Sequence, residues 1–158
     1  WIYSPVVYYE NEAFMYQMRA LAKDCFSPVA CLHHYLGTTK NFMDVCEQEE
    51  VKLKSYFYAL RTALAGKWII ERNTFPPVDF MELLPIAPQN IQEKIKELLD
   101  IKANQAESYL HPKEKLITTF LLETVQFNKE NAAGLRSGKK LSEELDVFYK
   151  ELLLTNKI

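Results

Sequence analysis

Val51-Lys-Leu-Lys-Ser-Tyr-Phe-Tyr-Ala-Leu-Arg61-Thr-Ala-Leu-Ala-Gly66-Lys-Trp68-Ile-Ile-Glu-Arg72 is the stretch from which the architecture of this chain is read. Leu53, Phe57, Leu60 and Leu64 recur at spacings of three and four, the period of one helical face. Glu47, Glu49 and Glu50 precede the stretch, where a helix end is partly positive, and Lys67 and Arg72 close it. A helix over about residues 50 to 72 would run roughly 33 Å at about 1.5 Å per residue, longer than the average globular helix. It is the expected spine of the domain. Beside its apolar face lie Lys54, Tyr58, Arg61, Ala65, Trp68 and Arg72, a mixture of cations and aromatics. Lys52, Lys54, Arg61, Lys67 and Arg72 against Glu71 give five minus one, a net charge of +4 inside a chain of net −2. This asymmetry points to an anionic partner, because lysine and arginine clamp phosphates and tyrosine or tryptophan stacks on bases. The plain alternative is that Lys54 and Arg61 are solvated charges and Trp68 belongs to the core.

Outward from this spine the helical signals continue. Residues 1–10 read as an extended entry segment, since Pro5 and the β-favouring Val6, Val7, Tyr8 and Tyr9 precede the first cap. Asn11 is the expected N-cap of a helix carrying Phe14, Met18, Leu21 and Ala22 to about Asp24. Ser27-Pro28 starts a second helix, with serine as cap and proline at the first turn, where its missing donor costs nothing. This helix should reach Cys46. Its polar residues His33, Gly37, Lys40, Asn41 and Asp44 share one face. A glycine inside a helix costs about 1 kcal/mol against alanine, so Gly37 suggests close approach of another group. Thr74-Phe75-Pro76-Pro77 breaks the long helix, and a proline-punctuated crossover leads to Pro88, with a short turn over residues 79–84. Ile91, Ile95, Leu98, Leu99 and Ile101 mark a further helix. Leu116, Ile117, Phe120, Leu121 and Val125 mark another after His111-Pro112. A loop from Gly134 to Lys140 precedes a last helix from Ser142, with Leu145, Phe148, Tyr149 and Leu152 as its stripe. The expected fold is all-α: a single domain over 1–158, a bundle of about five to seven helices around one long central helix.

Composition narrows the function classes. With 158 residues, 48% of them hydrophobic and 25% charged, the chain can bury one core and is not a disordered tail. Its slightly acidic balance disfavours a dedicated duplex nucleic-acid binder. No apolar run is long enough to span a bilayer, and the longest, Leu116 to Phe127, contains Glu123. Cys25, Cys31 and Cys46 form an odd set without paired spacing, which suggests a reducing, cytoplasmic setting. The start on Trp1, followed by Ile-Tyr-Ser-Pro-Val-Val-Tyr-Tyr, is apolar and is expected to be covered by a preceding segment.

No catalytic engine is legible. Cys25, Cys31, His33, His34 and Cys46 are close in sequence, but they lack the ligand pairs two to four residues apart of structural zinc sites. They read as small core residues and as histidines divided between a packed and an exposed position. No serine stands in a nucleophile elbow, and the four scattered glycines exclude a phosphate-cradling loop. A helical ribonuclease pairing an arginine with a nearby downstream histidine is disfavoured, since neither Arg61 nor Arg72 has one.

The string His33-His34-Tyr35-Leu36-Gly37, then Lys40-Asn41-Phe42, then Val51 to Arg61, Trp68-Ile69 and Pro76-Pro77 resembles the C-terminal region of a predicted nucleotidyltransferase family. That family includes bacterial YcgL-like proteins and RNA-ligase-associated nucleotidyltransferases of the polymerase-β-like superfamily. The opening Trp1-Ile-Tyr-Ser-Pro-Val-Val-Tyr is similar to its junction segment. The resemblance covers about residues 1 to 100. It implies transfer of a nucleotide from a nucleoside triphosphate to an RNA, protein or small-molecule acceptor, with magnesium held by carboxylates of an N-terminal catalytic domain. The Gly-Ser and Asp-x-Asp motifs of that domain have no counterpart here, so this chain would be the substrate-side helical domain, inactive alone and without a metal site. By the same implication Lys40, Asn41, Lys54, Tyr58 and Arg61 face the cleft, with His33 beside them and Trp68 as a stacking surface or core residue. The alternative is a helical module that docks an acidic protein or an RNA and has no nucleotide role.

Overall fold

A computed structural model of the chain describes residues 2–139 and 142–155. Trp1, assigned above to the entry segment, and Lys140, assigned to the loop before the last helix, lie outside the described residues. Seven α-helices and one small sheet make up the regular structure among them: α1 (Glu12–Asp24), α2 (Pro28–Cys46), β1 (Glu50–Lys52), α3 (Leu53–Arg72), α4 (Phe80–Leu83), α5 (Gln89–Asn104), β2 (Leu110–Pro112), α6 (Lys115–Asn131) and α7 (Ser142–Thr155). The all-α expectation holds, with α3 as the long central helix.

Local chemistry starts and stops these helices. Asn11 caps α1 by accepting from the Phe14 N–H, and Ser27 caps α2 by accepting from Ala30, with Pro28 in the first turn. Asp79 accepts from Met81 at the head of α4. At the other end of α3, Asn73 adopts φ 53°, and its N–H donates to the Ile69 carbonyl. Asparagine tolerates this left-handed cap better than a branched residue. Residues 2–10 of the entry segment form neither helix nor strand. This segment is tied to α1 by Arg19, whose guanidinium grips Glu10 through two bonds of 2.8 Å and donates to the Ile2 carbonyl. The ion pair with Glu10 raises the pKa of Arg19 further.

Helix α3 is enclosed by α2 and α6 and touched by α4 and by the short 3-10 turn Leu84–Ile86. Tyr56, Ala59, Leu60, Ala63, Leu64 and Ile69 are all fully buried. Burying one leucine contributes about 1.5–3 kcal/mol, so this row is a large share of what holds the bundle together. Polar groups inside are paired across helices. The Thr39 hydroxyl of α2 meets Thr62 of α3 at 2.8 Å, and the Tyr56 hydroxyl accepts the Glu114 N–H at 2.9 Å, fastening the start of α6 to α3.

Four local expectations change. Residues 50–52 are not the first turn of α3 but a strand, antiparallel to β2 with Val51 opposite His111. Helix α3 therefore begins at Leu53 with no acid in its first turn, and Glu50 is on an exposed strand position. Pairing with a segment about sixty residues away outweighs the local helical signal. Second, a Cβ on Gly37 would meet nothing within 4 Å; the close approach belongs to Gly66, where a Cβ would lie 2.5 Å from Asn128 Nδ2 and 3.0 Å from Leu32 Cδ1. Third, His33 and His34 are both exposed, because the buried line of α2 runs through Leu32, Thr39, Met43 and Cys46. Fourth, α6 buries Thr118, Thr124 and Asn128 along with Ile117, Phe120 and Leu121, while Leu116 is exposed. Helix α7 lies against α1 through Phe14 and Phe148, whose rings stack at 5.8 Å; Leu145 and Tyr149 of its expected stripe are exposed.

Candidate functional site

The expected cation–aromatic face of α3 divides into two parts. Its C-terminal half is covered: Ala65 is buried, and half-buried Trp68 packs on the core while its indole N–H donates to the Thr74 hydroxyl at 3.0 Å. The Arg72 guanidinium lies 5.9 Å from the Trp68 ring centre. The sequence left Trp68 open between stacking surface and core, and here it staples the end of α3 to the following turn.

The N-terminal half is open. Lys54, Tyr58 and Arg61 line a groove of about 560 Å³ between α3, the C-terminal half of α5, Phe80 of α4 and the loop 105–109. Tyr58 is 44% exposed, so its ring is available to a ligand. It is nevertheless oriented, since Phe42 of α2 stacks on it at 5.1 Å and 25°. An offset aromatic pair of this kind contributes about 0.5–1.5 kcal/mol beyond area burial. Lys54 Nζ lies 5.9 Å from the Tyr58 ring centre and 3.6 Å from Glu107. Arg61 Nη2 donates to the Val78 carbonyl.

The structure adds two residues that a reading of α3 alone missed. Lys102 of α5 enters with its ammonium 5.6 Å from the Phe57 ring centre, and Tyr109 of the following loop lines the groove together with Lys52 of β1, already counted among the cations of this stretch. Four cations, Lys52, Lys54, Arg61 and Lys102, thus share the groove with one carboxylate, Glu107, among the described lining residues. Oxygen-rich anions suit such a surface; a divalent cation does not. The field of Arg61 reaches α2: burial and the charge of Cys31 raise the pKa of Tyr35, and Arg61 acts in the lowering direction.

A second cleft of about 940 Å³ adjoins the first and shares Arg61 and Phe80 with it. Its apolar wall is Phe26 against Phe75, at 4.3 Å between ring centres, with Tyr3 5.9 Å from Phe75. Arg136 borders it from the loop before α7. That loop is seated closely, because a Cβ on Gly138 would meet Ser27 Cβ at 2.9 Å and the Cys25 and Phe26 carbonyls at 3.0 Å.

His33, Lys40 and Asn41 stand exposed on α2 and line neither cleft. The three thiols are unpaired, and burial pushes that of Cys46 up to about 12 and raises that of Cys31. Among the described residues no group of three or more His, Cys, Asp or Glu side chains is placed to hold a metal, and no helix is long and apolar enough to cross a membrane.

No solved structure matches the chain. It is 34% identical over 143 residues to the uncharacterized protein YcgL of Bacillus subtilis (strain 168), an alignment that covers 89% of the chain and 55% of that protein. The chain therefore spans about half the length of this curated relative. The family model described as RNA repair pathway DNA polymerase beta family, RlaP, matches residues 1–151. With that match over nearly its whole length, the chain belongs to the RNA repair pathway DNA polymerase beta family.

Proposed function

We propose that this chain is the helical, substrate-facing part of a polymerase-β-like nucleotidyltransferase, and that the groove beside α3 holds the phosphates of a nucleoside triphosphate or of the acceptor. The observation that carries the reading is the convergence of Lys54, Tyr58 and Arg61 of α3 with Lys102 of α5 on one open groove, two helices brought to one anionic-ligand surface. In this reading Lys54 and Lys102 bind phosphate oxygens as mobile point charges. Arg61, braced by the Val78 carbonyl, supplies a directed fork. Tyr58 offers a ring face to a base, and the adjoining aromatic cleft accommodates the part of the ligand beyond Arg61. Phosphoryl chemistry depends mainly on positioning and charge stabilisation, which such a surface supplies without a catalytic group of its own.

The chemical step is assigned to a catalytic domain preceding this region, where carboxylates would hold magnesium. The groove's own donor set of lysine, arginine and tyrosine does not fit a magnesium ion. His33, Lys40 and Asn41, exposed on the neighbouring helix, are proposed contacts for a longer acceptor, RNA or protein. A cytoplasmic setting completes the reading, in keeping with three unpaired thiols.

The Lys54–Glu107 pair favours one alternative: the same face docks an acidic protein segment, which Glu107 imitates. Calorimetric titration of ATP, GTP, CTP and UTP into the chain separates the two. Saturable binding that is lost in Lys54→Ala/Arg61→Ala, at unchanged melting temperature, supports the nucleotide reading. Absence of binding, or equal binding by the double variant, removes it.

A further inference from the structure

Tyr109, on the rim of the groove, is the outer end of a chain of three titratable side chains. Its hydroxyl lies 3.1 Å from His111 Nδ1, and His111 Nε2 lies 3.7 Å from the Glu114 carboxylate. The sheet fixes this line, since His111 pairs with Val51 across the two strands. The imidazole is only 12% exposed, and the Glu114 backbone N–H is held by Tyr56. A part-buried histidine with one ring nitrogen toward a carboxylate and the other toward the hydroxyl of a groove-lining tyrosine is more than packing requires.

We infer that the Tyr109 hydroxyl is a phosphate contact of this groove, and that His111, steadied by Glu114, is the positioning residue that sets the direction of its proton. The inference rests on the reading of the groove as an anion site given above. With His111 neutral, the carboxylate favours the tautomer carrying its proton on Nε2. Nδ1 is then an acceptor, and the phenol donates to it. With His111 protonated, Nδ1–H donates to the phenol oxygen and the phenol proton turns outward to a phosphate oxygen. Histidine side chains change charge in the range of about pH 5 to 8, so anion binding should strengthen toward the acid end.

The charged groups around His111 do not prevent this. Glu114 is shared with Lys94 of α5 at 3.8 Å, and Lys94 is held mainly by Glu97 at 2.7 Å. Lys113, just past the end of β2, is engaged by Glu47 at 2.6 Å. Across the sheet Glu50 and Lys52 flank Val51 with opposite charges, and on α3 the neutral Tyr56 hydroxyl is occupied by the Glu114 N–H. Lys54 of the groove is paired with Glu107. Glu114 is thus the carboxylate addressed to the imidazole.

The test is calorimetric titration of tripolyphosphate into the 158-residue chain at about pH 6 and about pH 8, for the parent, Tyr109→Phe and His111→Gln. The protonation of the probe itself is common to all three and cancels between them. The parent's gain in affinity on going to the lower pH should exceed that of Tyr109→Phe by about tenfold, the worth of one hydrogen bond to a charged group. His111→Gln should behave as Tyr109→Phe does. Should His111→Gln melt early, Tyr109→Phe, which keeps the ring, decides alone. Equal gains in the parent and Tyr109→Phe would overturn the inference and leave the groove reading standing. Failure of the parent to bind tripolyphosphate at either pH, or equal binding by Lys54→Ala/Arg61→Ala, would remove the groove reading and the inference with it.

Discussion

Asn128 on α6 occupies the space that a side chain on Gly66 would fill. Its amide nitrogen donates to the Ala63 carbonyl at 2.9 Å and lies 2.5 Å from where a Gly66 Cβ would be. Asn128 is 1% exposed, and its Oδ1 has no partner among the described residues. Gly66→Ala should therefore force Asn128 or Leu32 to move and destabilise the fold by about 1–3 kcal/mol. Because the same amide is the obstacle, Gly66→Ala combined with Asn128→Ala should cost less than the sum of the two single changes. Denaturant unfolding of the four proteins measures this; strict additivity would refute the shared cause.

Tyr56 joins α3 to the head of α6 by a single bond to the Glu114 N–H. Tyr56→Phe leaves the ring packing intact and that part-buried donor without its partner, so a loss of about 0.5–1.5 kcal/mol is expected. The same variant should speed amide exchange at Glu114. Unchanged exchange there would mean that the Tyr56 hydroxyl is not what protects this amide.

Glu107 competes with any anion for Lys54, at 3.6 Å, with both side chains largely in solvent. Glu107→Gln should tighten tripolyphosphate binding by a few-fold, in keeping with the about 0.2–1 kcal/mol of an exposed ion pair, with little change in stability. Raising the salt should shrink the difference, since exposed charges are screened within about 10 Å at about 0.1 M. Weaker binding by Glu107→Gln would instead make Glu107 part of the binding surface.

Cys46 is fully buried, and burial pushes its thiol from 9.0 up to about 12. The unfolded chain loses this proton near the lower value and the folded chain only near the higher one. Stability contributed by the protonated thiol is thus complete below about pH 9 and declines as the pH rises toward about 12, by up to about 1.4 kcal/mol per pH unit. Cys46→Ala should flatten that alkaline decline while lowering stability at neutral pH. In the folded protein Cys46 should also react with a thiol reagent more slowly than half-buried Cys25 or Cys31.

The sequence by itself determined what depends on neighbours along the chain. The caps at Asn11 and Ser27-Pro28, the three-and-four spacing of Leu53, Leu60 and Leu64, and the proline break after Arg72 all act within one or two helical turns. The helical class, the bounds of α1 and α2 and the end of α3 follow from them. The cations of α3 were legible in the same way, because Lys54, Tyr58 and Arg61 share a face by spacing alone. Tertiary structure decided whatever required distant segments to meet. Residues 50–52 became a strand because Leu110–Pro112 arrived to pair with them. Trp68 and Ala65 were covered while Tyr58 stayed open, since the elements around α3 enclose its C-terminal half. Gly66, not Gly37, proved to be the contact glycine, because only the packing of α6 brings Asn128 there. Lys102 and Tyr109 entered the groove from segments that no spacing along α3 reveals. Helical periodicity records which side chains share a face, but burial and charge at a site are set by which other faces come to lie against it.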